Sequence, residues 1–255
     1  MSKVEKRKML SWDERRKILV PGNERETLFY AAKEFADLAI YYIQKKDRFT
    51  VALSGGSTPK KIYQKLLSEY AKKVDWKKVW LFFSDERALP PDDPNNNYHM
   101  AMQAGFSQLP IPKNQIFRMP AEKDIQKGAE EYEKVIEEYV GTDLFDLVML
   151  GMGEDGHTAS LFPETAALNI SGKAVCANFV PHKDSWRMTL TFDCINNSSN
   201  IRLYVLGSSK EKMVEKVFHP AKDSPILPVE RVGSLDTPVL WILDDLAAKA
   251  LLTLP

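Results

Sequence analysis

Asp155 and His157 stand two positions apart in LGMGEDGHTASLFP, residues 150–163, a run that also holds Gly151, Gly153 and Gly156. Histidine exchanges a proton near neutral pH, and an acid reaching one ring nitrogen orients the imidazole and raises the basicity of the other. The pair therefore reads as a general base with its orienting carboxylate. A lone histidine is more often structural, and His99, His182 and His219 show no comparable setting in the sequence. One acid and one histidine are too few ligands for a zinc site, so no metal is expected. A serine nucleophile would need a GxSxG elbow, which is absent, and Ser160 reads as turn polarity.

Three further clusters carry groups suited to an anion. SGGSTPKK places Ser54, Gly55, Gly56, Ser57 and Thr58 just ahead of a helical segment. Glycines let the backbone turn tightly there, and the N–H groups at a helix start attract phosphate. The segment matches neither the P-loop nor the GxGxxG dinucleotide pattern, and its plain reading is a connection. SDERALPPDDPNNNY sets Asp85, Glu86 and Arg87 side by side. A solvated turn with a salt bridge is the bland account; a guanidinium fork for phosphate or carboxylate is the functional one. Arg187 in VPHKDSWRMTLT and Lys210 in VLGSSKEKM are ordinary surface charges taken singly, and become ligands only by converging with the other loops.

Positioning these clusters falls to the elements between them. Helical periodicity covers residues 28–43, and RFTVAL then switches to a short β-branched run ending in glycines. STPKKIYQKLLSEYAKKV returns to helical spacing, with Ser57 or Thr58 as N-cap and Pro59 in the first turn. VWLFF, LFDLVML and residues 173–180, 187–191, 201–206 and 239–243 read as strands. YHMAMQAGF, DIQKGAEEYEKVIEEYV and residues 209–218 read as helices. Such alternation predicts an α/β fold: a doubly wound, mostly parallel, Rossmann-like sheet with helices on both faces. Ligands bind such sheets beyond the carboxyl ends of the strands. All four clusters lie where a predicted strand stops or a helix begins.

The 255 residues suit a single domain spanning 1–255, with a charged arm over about residues 1–22. Lys plus Arg and Asp plus Glu are 35 each, so nothing in the net charge suggests a nucleic-acid or anionic-membrane partner. No stretch approaches the ~18 apolar residues of a membrane span, and the N-terminus lacks the apolar core of a signal peptide. Cys176 and Cys194 lack metal-type spacing and read as structural thiols in a reducing, cytoplasmic setting.

Taken together, ALSGGSTPKKIY, FFSDERALPPDDPNNNY, FDLVMLGMGEDGHTASLFP and, more loosely, WRMTLT and LGSSKEK resemble the 6-phosphogluconolactonases of the pentose phosphate pathway. The resemblance keeps the family's order over about 200 residues, and GxGxDGHTASLFP is its specific part. It implies hydrolysis of 6-phospho-D-glucono-1,5-lactone without metal or organic cofactor, by a monomer or weak homo-oligomer whose one partner is the sugar-phosphate lactone. It implies His157 as the base activating water with Asp155 beside it. It implies Ser54, Gly55, Gly56, Ser57, Thr58, Asp85, Arg87, Arg187 and Lys210 as substrate and phosphate contacts. Glu154 stands where the family often has proline, and VPHKDSWR lacks the proline-rich form common before the arginine.

Two other functions fit the same resemblance. The related glucosamine-6-phosphate deaminases and isomerases share SGGSTP and DGH, with Asp85 as their proton shuttle; TASLFP and Arg87 favour the lactonase. Related domains also serve as sugar-phosphate sensors in transcription regulators. A sensor would need a DNA-binding module ahead of it, and some 25 residues precede the first predicted helix, too few for one.

Overall fold

The computed structural model describes residues 8–141 and 145–252. Seven strands form the main sheet: β1 (Lys8–Ser11), β2 (Arg16–Val20), β3 (Phe49–Leu53), β4 (Val79–Phe83), β6 (Leu147–Leu150), β9 (Ile201–Val205) and β10 (Val239–Leu243). Their order is β1-β2-β10-β9-β6-β3-β4, and every pairing except β1 with β2 is parallel. The apolar runs FTVAL, LVML and VLWIL are buried along their whole length. Parallel strands need crossovers whose helices cover the sheet, so such strands lose the in–out alternation of a half-solvated sheet. The expected α/β architecture is the one found.

Seven α-helices lie among the described residues: α1 (Glu24–Lys46), α2 (Ser57–Lys65), α3 (Asn97–Ala104), α4 (Ile125–Tyr139), α5 (Phe192–Asn196), α6 (Glu211–Phe218) and α7 (Lys249–Leu252). The longest, α1, starts on a capping box: the Asn23 side chain accepts from the Glu26 N–H, and Glu26 reaches back to the Asn23 N–H at 3.0 Å. It ends where Asp47 turns left-handed at φ 62°. Its apolar stripe of Leu28, Ala31, Ala32, Phe35, Ala36 and Ala39 is buried against α2 and β3.

Two stretches differ from the sequence expectation. Residues 8–20, expected within a charged arm, supply two strands of the main sheet. β2 buries Ile18 and Leu19 and runs parallel to β10, with Arg16 opposite Val239. Charges in the connecting SWDERR segment mask these short strands, and the partner lies more than 200 positions away. Second, β7 (Val175–Val180) and β8 (Ser185–Leu190) pair with each other in a smaller antiparallel sheet. Its third strand is β5 (Asp85–Arg87), the DER triplet itself, too short to show a period in sequence. Cys176 and Cys194 are free and buried. Among the described residues no helix is long and apolar enough to cross a membrane.

Candidate active site

Four of the strands, β9, β6, β3 and β4, are immediate neighbours in that order, and the four clusters follow directly from them. The chain passes from β3 to β4 on one side and later fills β6 on the other, which makes β3 the point where the winding reverses. A crevice opens at such a point beyond the strand ends. Here it is a cavity of about 250 Å³, lined by Ser54, Gly55, Gly56, Asp85, Arg87, Asn97, Gly151, Met152, Gly153, His157, Ala159 and Lys210.

His157 Nδ1 lies 2.5 Å from Asp155 Oδ1, and the His157 backbone N–H donates to the same oxygen at 3.1 Å. Asp155 itself stands behind the ring, off the cavity wall. Burial raises its carboxyl, but the ring hydrogen bond, the imidazole charge and the backbone N–H outweigh burial and hold it at about 2. A permanent carboxylate on Nδ1 keeps the proton there and leaves Nε2 as the free acceptor. Phe162 fixes the ring from one face, stacked at 3.9 Å. His182, without a visible setting in sequence, packs on the same Phe162, and its Nε2 lies 3.8 Å from Asp155 Oδ2. The loop closes so tightly that a Cβ on Gly153 would stand 2.0 Å from His157 Nδ1.

The β3 turn supplies the opposite wall. The Ser54 N–H donates to Tyr63 Oη, and that hydroxyl returns a hydrogen bond to the Ser54 carbonyl at 2.8 Å, tying the turn to α2. The sequence suggested Ser57 or Thr58 as the N-cap, but neither caps the helix. Gly56 is the N-cap at φ 102° and ψ 174°, a backbone shape suited to glycine, and no side chain caps it. The first-turn N–H groups thus have no side-chain acceptor, the usual condition for anion binding. Lys210 reaches across from the β9 loop, its Nζ donating to the Met152 carbonyl at 2.9 Å. Arg87 holds the Asn95 carbonyl through Nη1. Among the described residues, neither cation has an acidic partner.

Arg187 stands directly opposite Arg87 across the β5–β8 ladder and faces an adjoining depression, not the main cavity. Burial and the neighbouring Arg87 both depress its pKa, and its buried Nε has no hydrogen-bond partner among the described residues. Glu154 is exposed and off the wall.

Sequence reasoning missed two contributors and gave a third, Glu86, no role of its own. Asn97, given no role in the SDERALPPDDPNNNY segment, lines the cavity and donates to Asp85 Oδ1 at 3.1 Å. Ser160, read as turn polarity, donates to Asp85 Oδ2 at 2.7 Å. Glu86 is fully buried and accepts the N–H groups of Arg87, Asn97 and Tyr98 at 2.8, 2.7 and 2.9 Å. It thereby fixes the start of α3 beside the site. Among the described residues no group of three or more His, Cys, Asp or Glu is arranged to hold a metal ion.

A loop carrying an Asp–His pair, with two cations that have no acidic partner among the described residues, at the winding reversal of a parallel sheet defines a class, and the sequence comparison specifies it. The model of the glucosamine-6-phosphate isomerases/6-phosphogluconolactonases matches residues 23–241, and the chain belongs to that family. It is 38% identical over 243 residues to the 6-phosphogluconolactonase of Chlamydia muridarum, covering 95% of this chain and 93% of that relative. Against the 6-phosphogluconolactonase of Chlamydia trachomatis serovar D the figure is 40% over 236 residues, 92% of this chain and 90% of the other. The solved structure of 6-phosphogluconolactonase from Trypanosoma cruzi superposes with a TM-score of 0.84 at 28% identity, covering 95% of this chain and 98% of that one.

Proposed function

We propose that the protein hydrolyses 6-phospho-D-glucono-1,5-lactone to 6-phospho-D-gluconate, with His157 as general base. The observation that carries this reading is the Asp155-anchored imidazole on the wall of a cavity that also exposes Lys210, Arg87 and the uncapped start of α2. Nε2 takes a proton from water as its oxygen attacks C1 of the lactone, giving a tetrahedral oxyanion. Collapse breaks the bond from C1 to the ring oxygen, and the imidazolium returns its proton to that oxygen, which becomes the C5 hydroxyl. The new carboxylic acid releases its proton to solvent. A lactone is already activated, so a positioned base and nearby cations suffice, and no cofactor enters the scheme.

The phosphate, remote from C1, suits the α2 N-terminus with Ser54, Gly55, Gly56, Ser57 and Thr58, and the Lys210 ammonium, where it orients the ring. Arg87 adds a guanidinium beside it, with Arg187 behind. The same reading makes this a monomer or weak homo-oligomer of the cytoplasm. Lactone loss, followed by coupling the product to 6-phosphogluconate dehydrogenase, tests the scheme. His157→Ala should bring the rate to within reach of the spontaneous background, and wild-type turnover by a folded variant would refute the base assignment. Ammonia release from glucosamine 6-phosphate would instead support the deaminase reading, which needs Asp85 on the cavity wall.

A further inference from the structure

The hydroxyl of Ser160 bridges two site loops 75 positions apart in sequence by donating to Asp85 Oδ2 at 2.7 Å. We propose that Ser160 is a positioning residue: it fixes the Asp85 carboxylate as an acceptor for the hydroxyl groups of the sugar ring, and so sets discrimination against lactones lacking one of them. The proposal rests on the lactonase reading above.

Ser160 has little freedom to do otherwise. It is 1% exposed, its N–H donates to Thr189 Oγ1 at 3.2 Å, and its carbonyl accepts from Asn178 Nδ2 at 2.9 Å. The residue before it, Ala159, lines the cavity at φ 47°, in the left-handed region that a non-glycine residue enters at some cost. Such conformations persist where surrounding bonds over-determine them. The three bonds of Ser160 supply that constraint.

Asp85 is held from the other side by Asn97 Nδ2, at 3.1 Å from Oδ1 and 2.9 Å from the Asp85 carbonyl. Both side-chain partners are donors, so each carboxylate oxygen spends one acceptor position on the protein. A carboxylate offers roughly four such positions, and Asp85 forms part of the cavity wall. Its neighbours there, Arg87 and Lys210, are donors that suit the phosphate and the developing oxyanion. A carboxylate would repel both. The groups of the substrate that complement it are the neutral ring hydroxyls, which donate. A site built to bond a hydroxyl rejects the analogue lacking it more strongly than an apolar pocket can, because the acceptor is then left unpaired.

The test measures kcat and KM of the full chain on 6-phosphogluconolactone and on its 2-deoxy, 3-deoxy and 4-deoxy analogues. The wild type should disfavour at least one analogue by about a hundredfold or more in kcat/KM. Ser160→Ala should lose about tenfold on the parent, chiefly through KM, and reduce that discrimination by about tenfold. The pH dependence of kcat should stay in place. Asp85→Asn, which keeps the shape but exchanges an acceptor for a donor, should show the same loss of discrimination whether or not Ser160→Ala folds. Unchanged discrimination in Asp85→Asn would overturn the proposal. So would equal losses on all four lactones with a displaced pH profile in Ser160→Ala. His157→Ala run alongside separates the two ideas: retained turnover there removes the base assignment, while the wild-type, Ser160→Ala and Asp85→Asn ratios still decide the role of Ser160.

Discussion

Replacing Gly153 with alanine adds one methyl group against the Asp155–His157 pair. Ideal geometry puts that carbon 2.0 Å from His157 Nδ1, 2.1 Å from Cε1 and 2.7 Å from Asp155 Oδ1. Carbon contacts settle near ~3.5 Å, so the imidazole must withdraw by roughly 1 Å or more. The methyl group also crowds the carboxylate, so the 2.5 Å contact cannot survive in place. Misplacing a catalytic group by about 1 Å costs on the order of a hundredfold, and losing general-base catalysis altogether costs about 10² to 10⁴. We therefore expect kcat to fall by about 10² to 10⁴, equivalent to roughly 3 to 5 kcal/mol of barrier. KM should change little, because the phosphate contacts proposed above come from other loops. Gly153 is outside the positive-φ region, so alanine strains no backbone, and the melting temperature should hold within about 4 °C. The dehydrogenase-coupled assay at several substrate concentrations reads kcat and KM separately. A folded Gly153→Ala enzyme retaining more than half the wild-type kcat would refute the reasoning. In the double variant with His157→Ala, the two losses should not add, because both act on one imidazole.

Three further outcomes follow from neighbouring groups. Burial, opposed by the N–H groups of Asn97, Tyr98 and Arg87, raises the Glu86 carboxyl from 4.5 to about 7. The folded chain then holds that proton more tightly than the unfolded one, so the Glu86 contribution falls as pH rises through 4.5 to about 7, by about 3 kcal/mol in all. Urea unfolding at pH 5 and pH 8 should show a loss in the wild type that Glu86→Gln lacks, and parallel curves would contradict it. Glu154→Pro should leave activity and melting temperature close to wild type, since Glu154 is exposed and no hydrogen bond to another described residue involves it; a collapse of activity would mean that the loop uses its charge or its N–H. Arg87→Ala should raise KM about tenfold or more for loss of a charge-assisted contact, and an unchanged KM in initial-rate measurements would remove Arg87 from the substrate.

The parts of the site legible in sequence are those whose logic is local. An apolar run followed by glycines and polar groups marks a strand end on its face, and four such marks located Ser54 to Gly56, Asp85 with Arg87, His157, and Lys210 before any partner was known. Contributors that depend on distant pairing were invisible. Ser160 matters because it meets Asp85, and Asn97 because α3 starts against Glu86; neither contact leaves a period or a spacing in the chain. Arg187 shows the same limit in reverse. Its residue type alone read as a surface charge and only the resemblance made it a ligand; the β5–β8 register sets it opposite Arg87, on the neighbouring depression. The strands of residues 8–20 were hidden for a third reason: their apolar content is small, and their burial comes from β10.

That last pairing has a consequence for how the molecule is made. The first parallel strand, β2, finds its place beside β10, which is synthesised after almost all the rest of the chain. Strands β3, β4 and β6 can pair with one another while translation is under way, and β2 can pair with β1, whereas the β2 edge that meets β10 has no partner until β10 is made. Removing residues 1–20 would spare the cavity and leave β10 as a bare all-apolar border strand. Such a border is a template for sticking to other chains. The cost of truncation should therefore appear as aggregation during expression, more than as a slower enzyme.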